Sequence, residues 1–97
     1  MSSKDIIHWL IEKISLEVLQ FIRNNESSFD DRWVPATYIK KNLALNFVAV
    51  PKENSQHSQT GWFFGVIARL LEDQDKIEYN KIDGRAYCRR IIKTEQI

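Results

Sequence analysis

The sequence predicts a small α+β domain, with three helices followed by a C-terminal β-hairpin. In two stretches, one near the N-terminus and one after residue 60, apolar residues recur at three- and four-residue steps. This is the spacing of an amphipathic helix. Alternating residues over 76–91 flank Asp83-Gly84, a dipeptide typical of a two-residue hairpin turn. The 97 residues suit one domain, over 1–97.

The first helix is expected over about 4–24, because its apolar residues keep helical spacing up to two consecutive asparagines. Ser2, followed three residues later by Asp5, resembles a capping box. Further apolar residues, Trp9 and Leu16 among them, widen the apolar face beyond one stripe. Such a helix lies centrally in a core or is shared with a partner. Trp9 and Leu16 are therefore our candidate contacts of a homodimer.

A second, shorter helix is expected over about 35–45. Pro35 suits the first turn of a helix, where its missing N–H costs nothing, and it holds the preceding residue extended. The insertion that follows, 46–59, becomes polar without periodicity after its first residues. Within it, residues 47–50 are either a short strand or an apolar stretch packed over the core.

The third helix is expected over about 60–74, where the amphipathic template fits without a miss. On a helical wheel, the inner face carries Phe63, Val66, Ile67, Leu70 and Leu71. The opposite face carries Ser58, Trp62, Gly65, Arg69 and Glu72.

The hairpin over 76–91 should present two different faces, because side chains alternate along a strand. Tyr79 shares one face with Cys88, which is expected to be a small buried residue. Glu78 lies opposite Arg89 on the other face, which predicts a cross-strand ion pair. Cys88 is the one cysteine of the chain, so no internal disulfide can form and a reducing compartment is expected.

Composition and charge indicate which partners and which cellular compartment to expect. Fourteen basic and thirteen acidic residues give a net charge of +1, which alone does not favour a nucleic-acid partner. Within 76–93, however, six basic residues stand against two acidic ones, a local charge of +4. The N-terminus lacks the pattern of a signal peptide, and no stretch is apolar enough to span a membrane. We therefore expect a cytoplasmic protein with no membrane partner.

The sequence carries no pattern typical of catalysis or metal binding. His8 and His57 fall in different elements and form no metal-ligand spacing with Cys88. The three glycines form no phosphate-cradling motif. We expect no enzymatic activity, no cofactor and no small-molecule ligand.

The order of elements resembles the winged helix-turn-helix family. The strongest part of the resemblance is GWFFGVIARLLED over 61–73, followed by residues 76–79 and 83–87. Members of this family typically lay the third helix in the major groove, while the hairpin, called the wing, touches the backbone or the minor groove. The resemblance implies sequence-guided binding of double-stranded DNA by a transcriptional regulator or accessory factor. The insertion 46–59 departs from the short turn usual in the family and is a further candidate contact.

The resemblance implies that three elements contribute to a nucleic-acid interface. Arg69 is suited to a guanine edge or a phosphate, and the start of the third helix favours anions. Cations near the tip of the wing are suited to phosphates. The candidate nucleic-acid-binding residues are Lys40, Lys41, Ser58, Gln59, Thr60, Trp62, Arg69, Lys81, Arg85 and Arg89.

A protein-interaction module that does not bind DNA, an adaptor or complex subunit, is the alternative. The outer face of the third helix has few basic residues, whereas groove-reading helices commonly carry more than one. Charged hairpins also occur where the charges merely discourage edge pairing. Trp62 and Ile82 would then be exposed anchors for a protein partner. Both functions fit the same fold.

Overall fold

The computed structural model describes residues 2–45 and 62–92. They form three α-helices: α1 over Ser3–Asn25, α2 over Ala36–Asn42 and α3 over Trp62–Asp73. Two single turns of 3₁₀ helix, Glu26–Ser28 and Asp30–Arg32, follow α1. The Ser2 hydroxyl caps α1 by accepting a hydrogen bond from the Asp5 N–H at 3.2 Å, as the capping pattern predicted.

The strands form one antiparallel sheet in the order β1-β3-β2, where β1 is Val34–Pro35, β2 is Ile77–Ile82 and β3 is Arg85–Arg90. The α+β class and the C-terminal hairpin are confirmed. Asp83 and Gly84 form the turn with φ of 53° and 79°. Positive φ at both central residues is the type I′ geometry that matches the twist of the strands.

The third strand, β1, was not predicted. Val34 pairs with Cys88 and Pro35 pairs with Tyr87, so the extended segment before α2 joins the hairpin through β3. The expectation that Pro35 begins the second helix is wrong, because Pro35 keeps extended φ/ψ and caps a helix that starts at Ala36. Proline fits a sheet edge, where no N–H has to be donated.

The core lies between the three helices and the inner face of the sheet. Helix α1 contributes residues from its second half, and the sheet contributes one residue from each strand. The buried hydrophobic residues are Val18, Ile22, Val34, Ala36, Ile39, Phe64, Ile67, Ala68, Leu71, Ile77 and Cys88. Cys88 therefore packs as the small buried residue that its alternation with Tyr79 predicted.

Helix α2 ends three residues before the expected boundary. The Leu45 N–H donates to the Lys40 carbonyl at 2.8 Å, and the Ala44 N–H donates to the Lys41 carbonyl at 3.2 Å. This is the Schellman arrangement, in which a left-handed residue ends the helix. Ala44 takes that conformation with φ of 54°. Since the residue is not glycine, the sequence carries no stop signal there.

The inner face of α3 is rotated from the predicted one. Phe64, Ile67, Ala68 and Leu71 are buried, whereas Val66 is 58% exposed and Phe63 only half-buried. Because nearly every residue from 62 to 71 is apolar, two overlapping stripes satisfy the helical period. The burial of the small Ala68 side chain completes the stripe that packs on the core.

A buried carboxylate ties the end of α1 to β3. The Glu26 side chain is 3% exposed and accepts a hydrogen bond from Arg32 Nη1 at 3.2 Å. It also accepts bonds from Arg90 Nε at 2.7 Å and from the Arg90 backbone N–H at 3.2 Å. Both guanidinium groups are about one-third exposed, so one buried anion holds two cations at the rim of the core.

Candidate nucleic-acid interface

A cleft of about 410 Å³ lies between α2, α3 and the hairpin. Helix α3 supplies its floor through Phe64, which is also part of the core. Polar side chains from α2 and the hairpin line it: Thr37, Lys40, Tyr79, Arg85 and Tyr87.

The electrostatic character of this cleft is basic. Lys40 and Arg85 line it, and the described residues of its lining include no carboxylate. Lys40 is half-buried near the end of α2, and Arg85 is exposed at the start of β3. A neighbouring depression on α3 differs, because there Glu72 accompanies Arg69. The lining of the cleft therefore offers an anion two cations with no competing acid among the described residues.

Gly65 leaves the α3 wall of the cleft open. A Cβ atom built at this position would meet no atom of the described residues within 4 Å, so no contact with them keeps the residue small. A glycine inside a helix costs about 0.5–1 kcal/mol relative to alanine. Its effect here is to present bare backbone to whatever enters the cleft.

The exposed face of α3 is more apolar and less basic than the cleft. Trp62 is 44% exposed, and the Trp62 ring meets Phe63 edge-on with centroids 5.6 Å apart. The Arg69 side chain is 78% exposed and lies 4.0 Å from the Asp73 carboxylate. Within α3, Arg69 is one cation against two acids, Glu72 and Asp73, so this helix has a net charge of −1.

The hairpin cations fall into two groups. Lys81 and Arg85 are exposed beside the Asp83-Gly84 turn, as a phosphate-contacting tip requires. Arg89 is half-buried and held by neighbouring groups: its guanidinium lies 4.0 Å from the Trp33 ring centroid and donates to the Asp31 carbonyl at 2.7 Å.

The predicted ion pair between Glu78 and Arg89 is present. The Arg89 Nε lies 3.3 Å from the Glu78 carboxylate, across neighbouring strands. These partners hold Arg89 in the sheet, and Arg89 is not among the residues that line the cleft.

The structure thus brings together only part of the predicted site. Lys40 and Arg85 both line the cleft. Lys41 is exposed nearby on α2, and Arg69 lies beside the cleft but not in its lining. Sequence reasoning missed Thr37 and the two tyrosines, because no motif marks them. Ser58, Gln59, Thr60 and the insertion 46–59 lie outside the described residues.

The chemistry at Cys88 and Tyr79 is set by burial. Burial first, and the Glu72 carboxylate second, raise the pKa of the Cys88 thiol from 9.0 to about 12. Burial also raises the pKa of Tyr79 above its ordinary value of 10.0, with smaller contributions from Cys88 and Glu72. Both groups stay neutral at physiological pH, and the Tyr79 hydroxyl can donate a hydrogen bond.

Alkaline conditions are expected to destabilise the fold through Cys88. Its folded-state pKa lies above the unfolded value, so the neutral thiol stabilises the fold below pH 9, and this contribution is lost as the pH rises from 9 toward 12. Urea midpoints measured from pH 7 to 10.5 should fall above pH 9, and less steeply in Cys88→Ala. At pH 8 the native thiol should react with a disulfide reagent much more slowly than the unfolded thiol, because it is buried and its raised pKa keeps it protonated. Equal rates would contradict the burial of Cys88.

Within 2–45 and 62–92, no group of three or more His, Cys, Asp or Glu side chains is placed to hold a metal ion. None of the helices in these two segments combines the length and the apolar character that a membrane span requires.

These features define the chain as a small α+β domain in which a helix and a hairpin flank a basic cleft. Comparisons with protein-family models, with curated proteins and with solved structures gave no match.

Proposed function

We propose that this protein binds double-stranded DNA as a winged helix-turn-helix domain, with α3 as the helix that enters the major groove and the β2–β3 hairpin as the wing. The observation that carries the proposal is the cleft between them, in which Lys40 and Arg85 stand without a carboxylate. A sugar-phosphate backbone is a regular polyanion, and phosphate contacts supply much of the affinity of such proteins.

The polar groups of the cleft suit a backbone contact. Lys40 and Arg85 would each neutralise a phosphate, and the hydroxyls of Thr37 and the tyrosines would donate hydrogen bonds to phosphate oxygens. Gly65 lets the strand approach the helix closely. Arg69, which lies beyond the edge of this cleft, is placed for a base edge or the next phosphate. The proposal is one of binding without catalysis.

A role as a cytoplasmic transcriptional regulator or accessory factor follows from this activity. The one cysteine of the chain is a buried thiol, which suits a reducing compartment. The local charge of the C-terminal part, rather than the net charge of +1, would guide the protein to DNA.

A titration of fluorescently labelled duplex DNA at about 50 and 200 mM salt tests the proposal. We expect salt-sensitive binding that Lys40→Ala and Arg85→Ala each weaken about tenfold at low salt. Each substitution should also lower the slope of log K against log salt by about 1, because one phosphate contact is lost.

Arg23→Ala is the matched control. It removes one exposed cation from α1, in a depression that shares no lining residue with the cleft. It should leave binding nearly unchanged. Absence of binding at low salt would overturn the proposal, and so would an Arg23→Ala variant as weak as Arg85→Ala.

The exposed apolar surface of α3 favours a second candidate, a winged-helix protein-interaction module. Trp62 and Val66 are 44% and 58% exposed, and α3 carries a net charge of −1. Exposed aromatic residues are typical anchors of protein interfaces. On this alternative the duplex titration shows no binding at either salt concentration, so the same experiment separates the two functions.

A further inference from the structure

The first half of α1 extends beyond the core. Every residue from 3 to 13 is exposed, and the first buried residue of the helix is Ser15. Five large apolar side chains in this half are each between 38% and 54% exposed: Ile6, Ile7, Trp9, Leu10 and Ile11. The core of the domain gives no reason for so much apolar surface on this half-helix.

The exposed apolar side chains lie on one broad face of the helix. Together with Leu16, which is 42% exposed, they cover more than half of the helix circumference, interrupted by Lys13 and Glu17. The Lys13 ammonium lies 5.3 Å from the centroid of the Trp9 ring, so its stem covers apolar surface while its charge stays in water. Exposed apolar patches of a few hundred Å² commonly mark interaction sites.

We propose that this half-helix packs against the same half-helix of a second copy, as an antiparallel dimer. Its charges favour a second copy. Lys4 and Lys13 balance Asp5 and Glu12, so residues 3–13 carry no net charge, and two copies meet without electrostatic repulsion. A membrane surface fits less well, because helices that lie on membranes carry polar faces rich in lysine and arginine.

The available area also matches a pair of copies. Each half-helix exposes on the order of 500 Å² of apolar surface, and an antiparallel contact covers the facing part of it on each copy, which is the size of a small interface and of a weak dimer. An antiparallel arrangement places the two cores at opposite ends of the helix pair, so they do not collide. With the two-fold axis near Trp9, Ile7 of one copy lies beside Ile11 of the other.

This inference does not rest on the proposed function, because its experiment contains no DNA. Sedimentation equilibrium of the full chain from about 1 to 100 μM, a range suited to a small interface, should show a monomer–dimer equilibrium. Leu10→Glu should raise the dissociation constant at least tenfold, and Leu10→Ala, which keeps helix propensity, should weaken the dimer in the same direction. Both variants should keep the thermal midpoint of the monomer, because Leu10 lies outside the core.

Ile82→Glu is the matched control, since it places the same charge on an apolar side chain that is 39% exposed at the hairpin tip. It should leave the dimer intact. A wild-type chain that stays monomeric at 100 μM overturns the inference. A dimer that Leu10→Glu does not weaken, or that Ile82→Glu weakens equally, overturns it too. A second readout is the Trp9 emission, obtained by subtracting the spectrum of Trp9→Phe, which should move to shorter wavelength as dimer forms.

Discussion

Glu26→Ala is expected to lower the free energy of unfolding by about 3 kcal/mol. The substitution removes a buried carboxylate that accepts hydrogen bonds from Arg32, from the Arg90 side chain and from the Arg90 backbone N–H. It leaves a space in the structure and a backbone donor without its acceptor, and each of these destabilises a fold. Domains of this size are stable by roughly 5–15 kcal/mol, so the loss is a large fraction of the total.

Urea unfolding followed by circular dichroism measures this effect. Glu17→Ala is the control, because Glu17 is an exposed glutamate on α1, the helix that Glu26 follows, and its midpoint should stay at the wild-type value. Added salt gives a further test. Because a buried ion pair is screened far less than a surface pair, salt should change the stability difference between the wild type and Glu26→Ala only slightly. If Glu26→Ala unfolds at the same urea concentration as Glu17→Ala, the ion-pair network does not hold α1 to β3.

Phe64→Ala is expected to lower the free energy of unfolding by about 3 kcal/mol. Phe64 is 2% exposed, and its removal leaves a cavity where α3 packs on the core. Val66→Ala, two residues along the same helix, should change stability by less than about 0.5 kcal/mol, since Val66 is 58% exposed. Thermal unfolding of the two variants therefore tests the rotation of α3 directly. The reverse order would place Val66 in the core, as the sequence pattern had predicted.

Much of the fold could be predicted because local signals agreed. Helix α1, expected over about 4–24, spans Ser3–Asn25, since its spacing and its serine cap lie within the segment itself. The hairpin could be predicted equally well, because Asp83-Gly84 and the alternation on either side indicate the same register. In both cases the determining residues are close together in the sequence.

The errors arose where distant residues decide the structure. Strand β1 exists because Val34 meets Cys88, 54 positions later, and two extended residues give no strand signal alone. The burial of Glu26 has no local sequence signal, because its partner Arg90 comes from the other end of the chain. The rotation of α3 followed from packing against the sheet, since two apolar stripes were equally regular.

The candidate site, like the fold, could be predicted from the sequence only in part. Lys40 and Arg85 were predicted from charge and from the family resemblance, and both lie at the cleft. That they share one basic cleft with Thr37 and Tyr79 depends on how α2 and the hairpin pack on α3, which no local pattern encodes. Arg89 had the same sequence-level support as Arg85, yet its contacts with Trp33 and Asp31 hold it in the sheet.

The helix ends have a consequence for the evolution of this chain. Helix α3 ends as α2 does, with a left-handed non-glycine residue, here Asp75 at φ of 59°. Alanine in that conformation is strained by about 1 kcal/mol relative to glycine, and aspartate by less. Natural proteins are held just above the stability they need, not at the maximum. A single mutation of Ala44 to glycine would therefore stabilise the fold and could offset a destabilising change elsewhere in the chain.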